Sequence, residues 1–435
     1  MLNSQAFREW SAKTPFERAR FLEKAALEVE RKAEEIGKVM SSEQGKPLAE
    51  AIGEVKGSVE VIRYFAEAGK RTFGEIIPLD KGNLSSIVIR QPIGVVAAIT
   101  PWNYPVQLLA WKVGAALAAG CTVVAKVPSE TPLSPLMFLR CLVDTGLPKG
   151  IISGVAGPGS TVGKGLALHP LVKKVSFTGS TEAGKKIMEY CAGGVKRVTL
   201  ELGGQCPLLV LSDADLEKAV KGGVKRSFRN MGQVCNSINR IYVENSIYDQ
   251  FLAMFVEETK KYRIGNGLLE EVDLGPMVSL DALRRVQEHV EDARAKGARV
   301  LAGGKKPAGE KYRKGYYFEP TVIGDVHHDM LVMKEETFGP VVGVMPFDNV
   351  TQAITWANDT RYGLAAYVYT SNLDRARQLC LALECGNVGL NNVDVATIYA
   401  PYGGWKESGF GSDLGPEGIS SYQEVKHIKI EFNIA

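Results

Sequence analysis

The chain has 435 residues, 45% of them hydrophobic and 23% charged, and Lys plus Arg exceed Asp plus Glu by 52 to 49, for a formal net charge of +3. Single cores stop growing at roughly 250–300 residues, so two large domains are expected. A nearly balanced surface without blocks of like charge, low-complexity tracts or solenoid repeats argues against disorder, arrays, nucleic acid and membrane surfaces, and leaves small molecules and further copies of the chain as partners.

The N-terminus has no basic segment followed by an apolar run, so secretion is not supported. Thr14 to Glu17 reads as a capping box with Pro15 at the first helical position, and apolar residues then recur at helical spacing through "RFLEKAALEVERKAEEIGKVM" and "EVKGSVEVIRYFAEAGKRTF". "GEIIPL" and "LSSIVIRQP" follow as two strands of a hairpin turned at Asp80 to Asn83, a projecting arm. Residues 91–111 carry no charge, a length that could span a bilayer, but Pro92, Pro101 and Pro105 make them a buried strand, a loop and a helix start. From residue 93 continuous apolar strands alternate with helices: "IGVVAAIT", "TVVAKV" and "KKVSFTG", then "CPLLVL", "RIYVE", "VVGVMPF" and "LAAYVYT" beyond a boundary near "ELGGQ". That alternation predicts an α/β chain with parallel sheets covered on both faces. "SYQEVKHIKIEF" closes the chain with the period of a strand and could pair with a hairpin, including one on another subunit.

Seven cysteines, at 121, 141, 191, 206, 235, 380 and 385, form no CxxC pair, which predicts free thiols in a reducing cytoplasm. The five histidines offer no zinc spacing, so no metal is assigned, and none lies near Cys235 to build a Cys-His arrangement.

Doubly wound sheets place ligands beyond the carboxyl ends of their strands. "GPGSTVG" (157–163), which includes Gly159, resembles a dinucleotide fingerprint but has one residue too many before its last glycine; "VSFTGSTEAG" runs a strand into Gly179 and Ser180 at a helix start. Either is as compatible with a plain tight turn as with a phosphate site. Lys126 ends an apolar strand, the place of a solvated strand end or of a ribose-binding cation.

Three stretches fit no element well. "FRNMGQVCNSINR" crowds amides and a glycine around Cys235, "TPWNYP" holds Asn103 between two prolines, and "ELGG" puts Glu201 at a strand end. By residue type alone, Glu201 reads as a surface carboxylate or as a cleft base, and Asn103 as an Asx turn or as an oxyanion donor.

These residues carry a resemblance. "TPWNYP", "AKVPSETPLS", "VSFTGST", "LELGG", "GQVCNSINR", "EETFGP" and "PYGGWKESGFG" match the aldehyde dehydrogenase superfamily in order from residue 14 onward. The resemblance implies a Rossmann-like cofactor domain (1–73 and 93–203), a catalytic domain (204–417) and a β bridging element (74–92 and 418–435) that serves a homodimer or homotetramer. It implies Cys235 as nucleophile, Glu201 as general base, and Asn103 with the Cys235 N–H as oxyanion hole. Gly179 and Ser180 would meet the pyrophosphate and Lys126 and Ser129 the adenosine ribose. Glu336 and Phe338 would meet the nicotinamide half, with Trp102 and Leu202 lining the same site and Gly159 also on the cofactor side. The physics agrees: a thiol with an ordinary pKa of about 8.5 is only a few per cent thiolate at neutral pH and needs a base or a polar environment to attack a carbonyl.

Departures from the family pattern sharpen two expectations. The chain starts where the family's first helices start, so the strand segment that most members carry ahead of them is expected to be absent. Ser129 stands where many NAD-preferring members have a glutamate, which removes a charge that repels a 2′-phosphate; NADP is expected to serve at least as well as NAD, with Glu130 partly offsetting this. Arg229, six residues before Cys235, matches the arginine that grips the distal carboxylate in succinate-semialdehyde dehydrogenases, while Trp111 replaces their second arginine. A small aldehyde with an acidic or hydroxylated tail is expected, succinate semialdehyde first and lactaldehyde or glyceraldehyde next, with Arg229 as a plain ion-pair partner the competing reading. A CoA-acylating enzyme is disfavoured because that branch generally lacks the glutamate present here as Glu201. A non-catalytic binding protein is disfavoured because Cys235, Glu201 and Asn103 are all retained.

Overall fold

The computed structural model describes residues 2–433. α1 (Leu2–Ala12) precedes α2 (Pro15–Arg31), which begins with the expected capping box: Thr14 Oγ1 accepts from Glu17 N at 3.2 Å, and Glu17 Oε2 accepts from Thr14 N at 2.8 Å. α3 (Ala33–Gln44) stops at Gly45, whose φ of +90° suits glycine and where a Cβ would lie 2.5 Å from Pro276. α4 (Leu48–Gly69) buries Val55, Val59, Ile62 and Ala66 at helical spacing. The arm follows as an antiparallel pair, β1 (Glu75–Ile77) and β2 (Leu84–Pro92).

The first sheet contains β3 (Val95–Ile99), β4 (Thr122–Lys126), β5 (Ile152–Val155), β6 (Val172–Thr178) and β7 (Arg197–Glu201), parallel and in the order β7-β6-β3-β4-β5. Its crossovers carry α5 (Gln107–Ala119), α6 (Leu133–Asp144), α7 (Lys164–Leu168) and α8 (Thr181–Ala192). The uncharged run 91–111 therefore spans the end of β2, all of β3, a prolyl loop and the start of α5, and no described helix is long and apolar enough to cross a membrane.

The second sheet starts at β8 (Cys206–Val210), then α9 (Leu216–Phe228) and β9 (Ile238–Glu244). β10 (Arg299–Ala302), β11 (Thr321–Gly324) and β12 (Val341–Phe347) extend one side; the two-residue β13 (Tyr362–Gly363) leads into β14 (Ala365–Tyr369) and β15 (Asn387–Leu390) on the other. The order is β10-β11-β12-β9-β8-β14-β15, parallel except for β10. β5, β10, β11 and β15 are not among the strands expected from sequence, because four residues are too few to show a period.

One segment departs from expectation. β16 (Trp405–Lys406) pairs with β13, and β17 (Gly409–Phe410) joins the first sheet antiparallel to β7, while the short helix Gly415–Ser420 packs on α5 and α4. Residues 409–420 thus lie with the first sheet rather than in the second domain, because the open edge of β7 needs a partner for its backbone groups and Lys112 of α5 takes Asp413 as its counter-ion. β18 (Gln423–Glu431) pairs with β2 over nine residues, from Gln423↔Pro92 to Glu431↔Leu84, so the last strand joins the hairpin arm.

Candidate active site

In the first sheet the chain leaves β3 toward β4 and β5, then returns to lay β6 on the other side of β3. The loops after β3 and β6 therefore flank a topological switch point, where open α/β sheets bind ligands. The loop after β3 carries Trp102 and Asn103; the turn after β6 carries Gly179 and Ser180. Facing these carboxyl ends are amino-terminal approaches of the second sheet: Cys235 before β9, Gly204 before β8, and Glu336 and Phe338 before β12. The reactive groups meet between the two sheets.

Cys235 is half-buried, and its Sγ lies 3.9 Å from the Tyr402 hydroxyl. The loop before it is tightly held. Asn230 and Met231 adopt left-handed φ of 49° and 59°, and at Gly232 a Cβ would stand 2.1 Å from Gly339 O. On the other side the Cys235 carbonyl passes so close to Gly204 that a Cβ there would be 2.3 Å away, which accounts for one glycine of "ELGG". Burial, reinforced by the charges of Glu336 and Glu201, pushes the Cys235 thiol up to about 12. Among the described residues its backbone N–H donates to no protein acceptor.

Asn103 is 3% exposed. Its Nδ2 donates to Gln233 O at 3.1 Å, leaving one amide hydrogen free, and its Oδ1 is buried without a partner. Glu201, the last residue of β7, is 4% exposed and so is no surface carboxylate. Neither carboxyl oxygen has a hydrogen-bond partner, which is rare for a buried carboxyl and typical of sites kept for chemistry. Burial, then the charge of Asp413, raises its pKa well above the usual carboxylate range, against the opposing pull of Lys112.

The expected cofactor residues run along the strand ends. Gly179 N donates to Glu201 O at 3.1 Å, coupling the phosphate turn to the carboxyl-bearing strand end. A Cβ on Gly179 would lie 2.5 Å from the Phe177 ring, and Ser180 caps α8 by accepting from Ala183 N at 3.3 Å. Lys126 is 6% exposed rather than a solvated end; its ammonium bonds to no described protein group, and burial lowers its pKa. Ser129 is exposed, and its Oγ donates to Gly157 O at 3.4 Å, which places it beside the turn that leads to Gly159. Glu336 Oε1 accepts from Gly204 N at 2.9 Å, with burial raising its carboxyl to about 7. Trp102 and Phe338 meet edge to face at 5.5 Å, and Leu202 covers Gly184 of α8. An unpaired cation, a helix start with a bare glycine and a buried carboxyl at the far end fit the ribose, pyrophosphate and nicotinamide ends of a dinucleotide in that order.

Next to Cys235 lies a cavity of about 160 Å³ lined by Asn103, Trp111, Arg229, Asp394 and Tyr402 among others. Arg229 Nε donates to Glu50 Oε1 at 3.0 Å, and its guanidinium sits 5.6 Å from the Tyr104 ring centroid. Both terminal NH2 groups lack a partner among the described residues. Trp111 stacks edge to face on Tyr402 at 5.4 Å, and its Nε1 is a buried donor without an acceptor. Sequence reasoning missed Tyr402, Glu50 and Asp394: Tyr402 lies inside "PYGGW", but Glu50 and Asp394 carry no local signal.

With desolvation favouring the neutral form of the half-buried Cys235 thiol, the cofactor-free protein is expected to alkylate slowly at neutral pH. The reactive species is the thiolate, the neutral form is favoured by burial, and each pH unit raises the thiolate fraction about tenfold while pH stays below the pKa. The iodoacetamide rate at Cys235, followed by mass spectrometry, is expected to rise from pH 7 to 10 without a plateau; levelling off below pH 9 contradicts the thiol environment described here.

Comparisons with known proteins extend over nearly the whole chain. The family model described as "Aldehyde dehydrogenase family" matches residues 3–428. The succinate-semialdehyde dehydrogenase [NADP(+)] of Escherichia coli is 44% identical over 427 residues, covering 98% of this chain and 88% of that protein. A glutarate-semialdehyde dehydrogenase of Pseudomonas putida is 44% identical over 426 residues, with 98% and 88% covered. A crystal structure described as an E. coli NADP dependent enzyme superposes with a TM-score of 0.97 at 44% identity, covering 99% of this chain and 89% of that one. With both the sequence match and the superposition running through nearly the whole chain, this protein belongs to the aldehyde dehydrogenase family.

Proposed function

We propose that this aldehyde dehydrogenase oxidises a small aldehyde with an anionic tail, succinate semialdehyde being the first candidate, and accepts NADP at least as well as NAD. The observation that carries the reading is Arg229: its Nε is tied to Glu50, while its two terminal NH2 groups stay unpaired on the wall of the cavity that holds Cys235. A planar fork with free donors suits a carboxylate. The orphan Trp111 Nε1–H supplies a second donor on the same wall, and two relatives named above act, by their names, on semialdehydes of dicarboxylic acids.

In this reading Cys235 gives up its thiol proton to water, Sγ attacks the aldehyde carbon, and the oxygen that gains charge takes hydrogen bonds from Asn103 Nδ2 and the Cys235 N–H. The nicotinamide supplies the hydride acceptor when bound; Lys126, Ser129 and Gly159 on the adenosine side, Gly179 and Ser180 at the pyrophosphate, and Trp102, Leu202, Glu336 and Phe338 at the other end would hold the dinucleotide. The remaining acyl group is a thioester on Cys235. Glu201, in its ionised form, takes a proton from water, whose oxygen attacks the thioester carbonyl; the C–S bond breaks, the acid leaves, and the proton passes to the Cys235 thiolate.

Asp394 favours a second reading. Its carboxylate sits on the same wall, bonded to Arg226 and 3.1 Å from Lys225, so the cavity's cations are partly neutralised. A hydroxylated, uncharged tail, as in lactaldehyde or glyceraldehyde, fits that wall. The Arg229→Ala variant separates the two: kcat/KM for succinate semialdehyde is expected to fall about 10–100-fold, the worth of a charged hydrogen bond, with hexanal little changed. Equal losses on both substrates sink the carboxylate reading. The same assay run with both nicotinamides checks the cofactor expectation, which a strong NAD preference overturns.

We also infer a homodimer or homotetramer built on the three-stranded sheet, since Ile76, Ile77, Val425, Ile428 and Phe432 stand exposed there. A cytoplasmic location is supported by seven unpaired cysteines.

A further inference from the structure

Lys46 and Glu54 take no part in the chemistry above, yet they form an ion pair at 2.5 Å with both side chains fully buried. A buried ion pair is a poor stabiliser, since apolar residues of the same volume usually do as well, so stability alone does not explain it. Its contacts all converge on one loop. Lys46 Nζ donates to the main-chain carbonyl of Asn103 at 2.9 Å and lies 3.7 Å from the Tyr104 ring centroid. Glu54 Oε1 accepts from Val106 N at 3.0 Å and Gln107 N at 3.1 Å, the entry to α5. The same Asn103 carbonyl also receives Gln44 Nε2 at 2.9 Å and Asn230 Nδ2 at 3.2 Å. Three side chains thus aim at one carbonyl oxygen, one of them a cation.

The need for this follows from the loop. Pro101 and Pro105 remove two backbone donors, and residues 100–106 have no ladder to hold them. The Asn103 amide is not fixed through its own oxygen either, because Oδ1 has no partner. Its aim depends on Nδ2 to Gln233 O and on where the main chain is pinned. An oxyanion donor misplaced by about 1 Å can cost about 100-fold in rate.

We propose that Lys46 and Glu54 are positioning residues for the oxyanion donor: the pair, with Gln44, pins the Asn103 carbonyl and the start of α5 so that the Asn103 amide meets the developing charge. This rests on the reading of Asn103 as that donor. It also links two distant parts of the chain, since Gln44, Lys46 and Glu54 belong to α3, α4 and the turn between them, and Asn230 to the loop that leads to Cys235.

The test is a double-mutant cycle on kcat. Lys46→Met with Glu54→Gln removes both charges together, and the new amide oxygen still accepts from residues 106 and 107. With saturating cofactor, kcat is expected to fall at least about tenfold while KM for aldehyde and cofactor and the alkylation rate of Cys235 stay within about twofold. In an Asn103→Ala background the same pair of changes is expected to cost less than about twofold, since there is no amide left to aim. An equal loss in both backgrounds overturns the proposal and makes the pair merely structural, as does an unchanged kcat in the first. If Asn103→Ala itself leaves kcat intact, the oxyanion reading falls and the proposal with it. Should the doubly changed protein not fold, Gln44→Met removes a donor from the same carbonyl without stranding a charge and is expected to show the same Asn103-dependent, kcat-only loss of about threefold; no loss, or one independent of Asn103, overturns the proposal.

Discussion

Cys235→Ser is expected to lower aldehyde oxidation by about 10⁴-fold or more while leaving dinucleotide binding within about twofold. Serine is nearly isosteric, and the loop that carries position 235 is set by its backbone: the left-handed Asn230 and Met231, the Gly232 contact with Gly339, and Gly204 beneath the 235 carbonyl are all untouched by the change. The loss therefore reads the chemistry of sulfur and not a collapsed site. A hydroxyl has a far higher pKa than a thiol, and this site already pushes the thiol up to about 12, so it gives an alkoxide no help. Another cysteine cannot stand in: Cys206 lies nearby, with its Sγ 3.8 Å from the Cys235 carbonyl, but it is fully buried in β8. Cofactor binding is read by titration of protein fluorescence and turnover by reduced-cofactor absorbance. More than about 1% residual oxidation shows that Cys235 is not the nucleophile.

The candidate reactive residues stand out in the sequence because each sits where the local pattern breaks, while the roles proposed for them rest on the family resemblance. Cys235 lies among amides that suit neither α9 nor β9, Asn103 between two prolines, and Glu201 ahead of two glycines. The alternation of apolar strands and helices likewise gave both sheets their long strands. What could not be read was whatever depends on distant partners. Glu50 and Glu54, one turn apart on α4, look like a solvated helix face, yet Glu50 accepts from Tyr104 Oη at 2.9 Å and holds Arg229, while Glu54 is buried against Lys46. Lys126 looked like an exposed strand end, yet it is only 6% exposed, and nothing in its own stretch of sequence signals that burial. The return of residues 409–420 to the first sheet was hidden for the same reason: a two-residue strand has no period, and the edge it completes, β7, lies some 200 residues earlier.

Glu201→Gln is expected to separate the two halves of the reaction. Glutamine keeps the shape of a neutral carboxyl, the form that burial already favours at this position, so the fold should tolerate it. The sign of the pH effect is fixed by that shift. A carboxyl whose pKa is raised in the folded state costs stability as pH climbs through the range where the unfolded chain would ionise it, and glutamine is spared this cost. The melting temperature of the variant is thus expected to equal or exceed that of the parent, with the gap widening from pH 5 to pH 8. Turnover goes the other way. Cys235 can still add to the aldehyde, so mixing enzyme, cofactor and substrate is expected to give a burst of reduced cofactor close to one equivalent per site. Steady turnover then drops about 100–1,000-fold, because no base remains to take the proton from water. Intact-protein mass spectrometry on the stalled enzyme should show the acyl group on Cys235, and hydroxylamine, which needs no base at neutral pH, should release it. If the burst disappears together with the steady rate, Glu201 acts first on the Cys235 thiol, whose own pKa its charge helps to raise. Steady turnover within about threefold of the parent assigns the water-activating role to some other group.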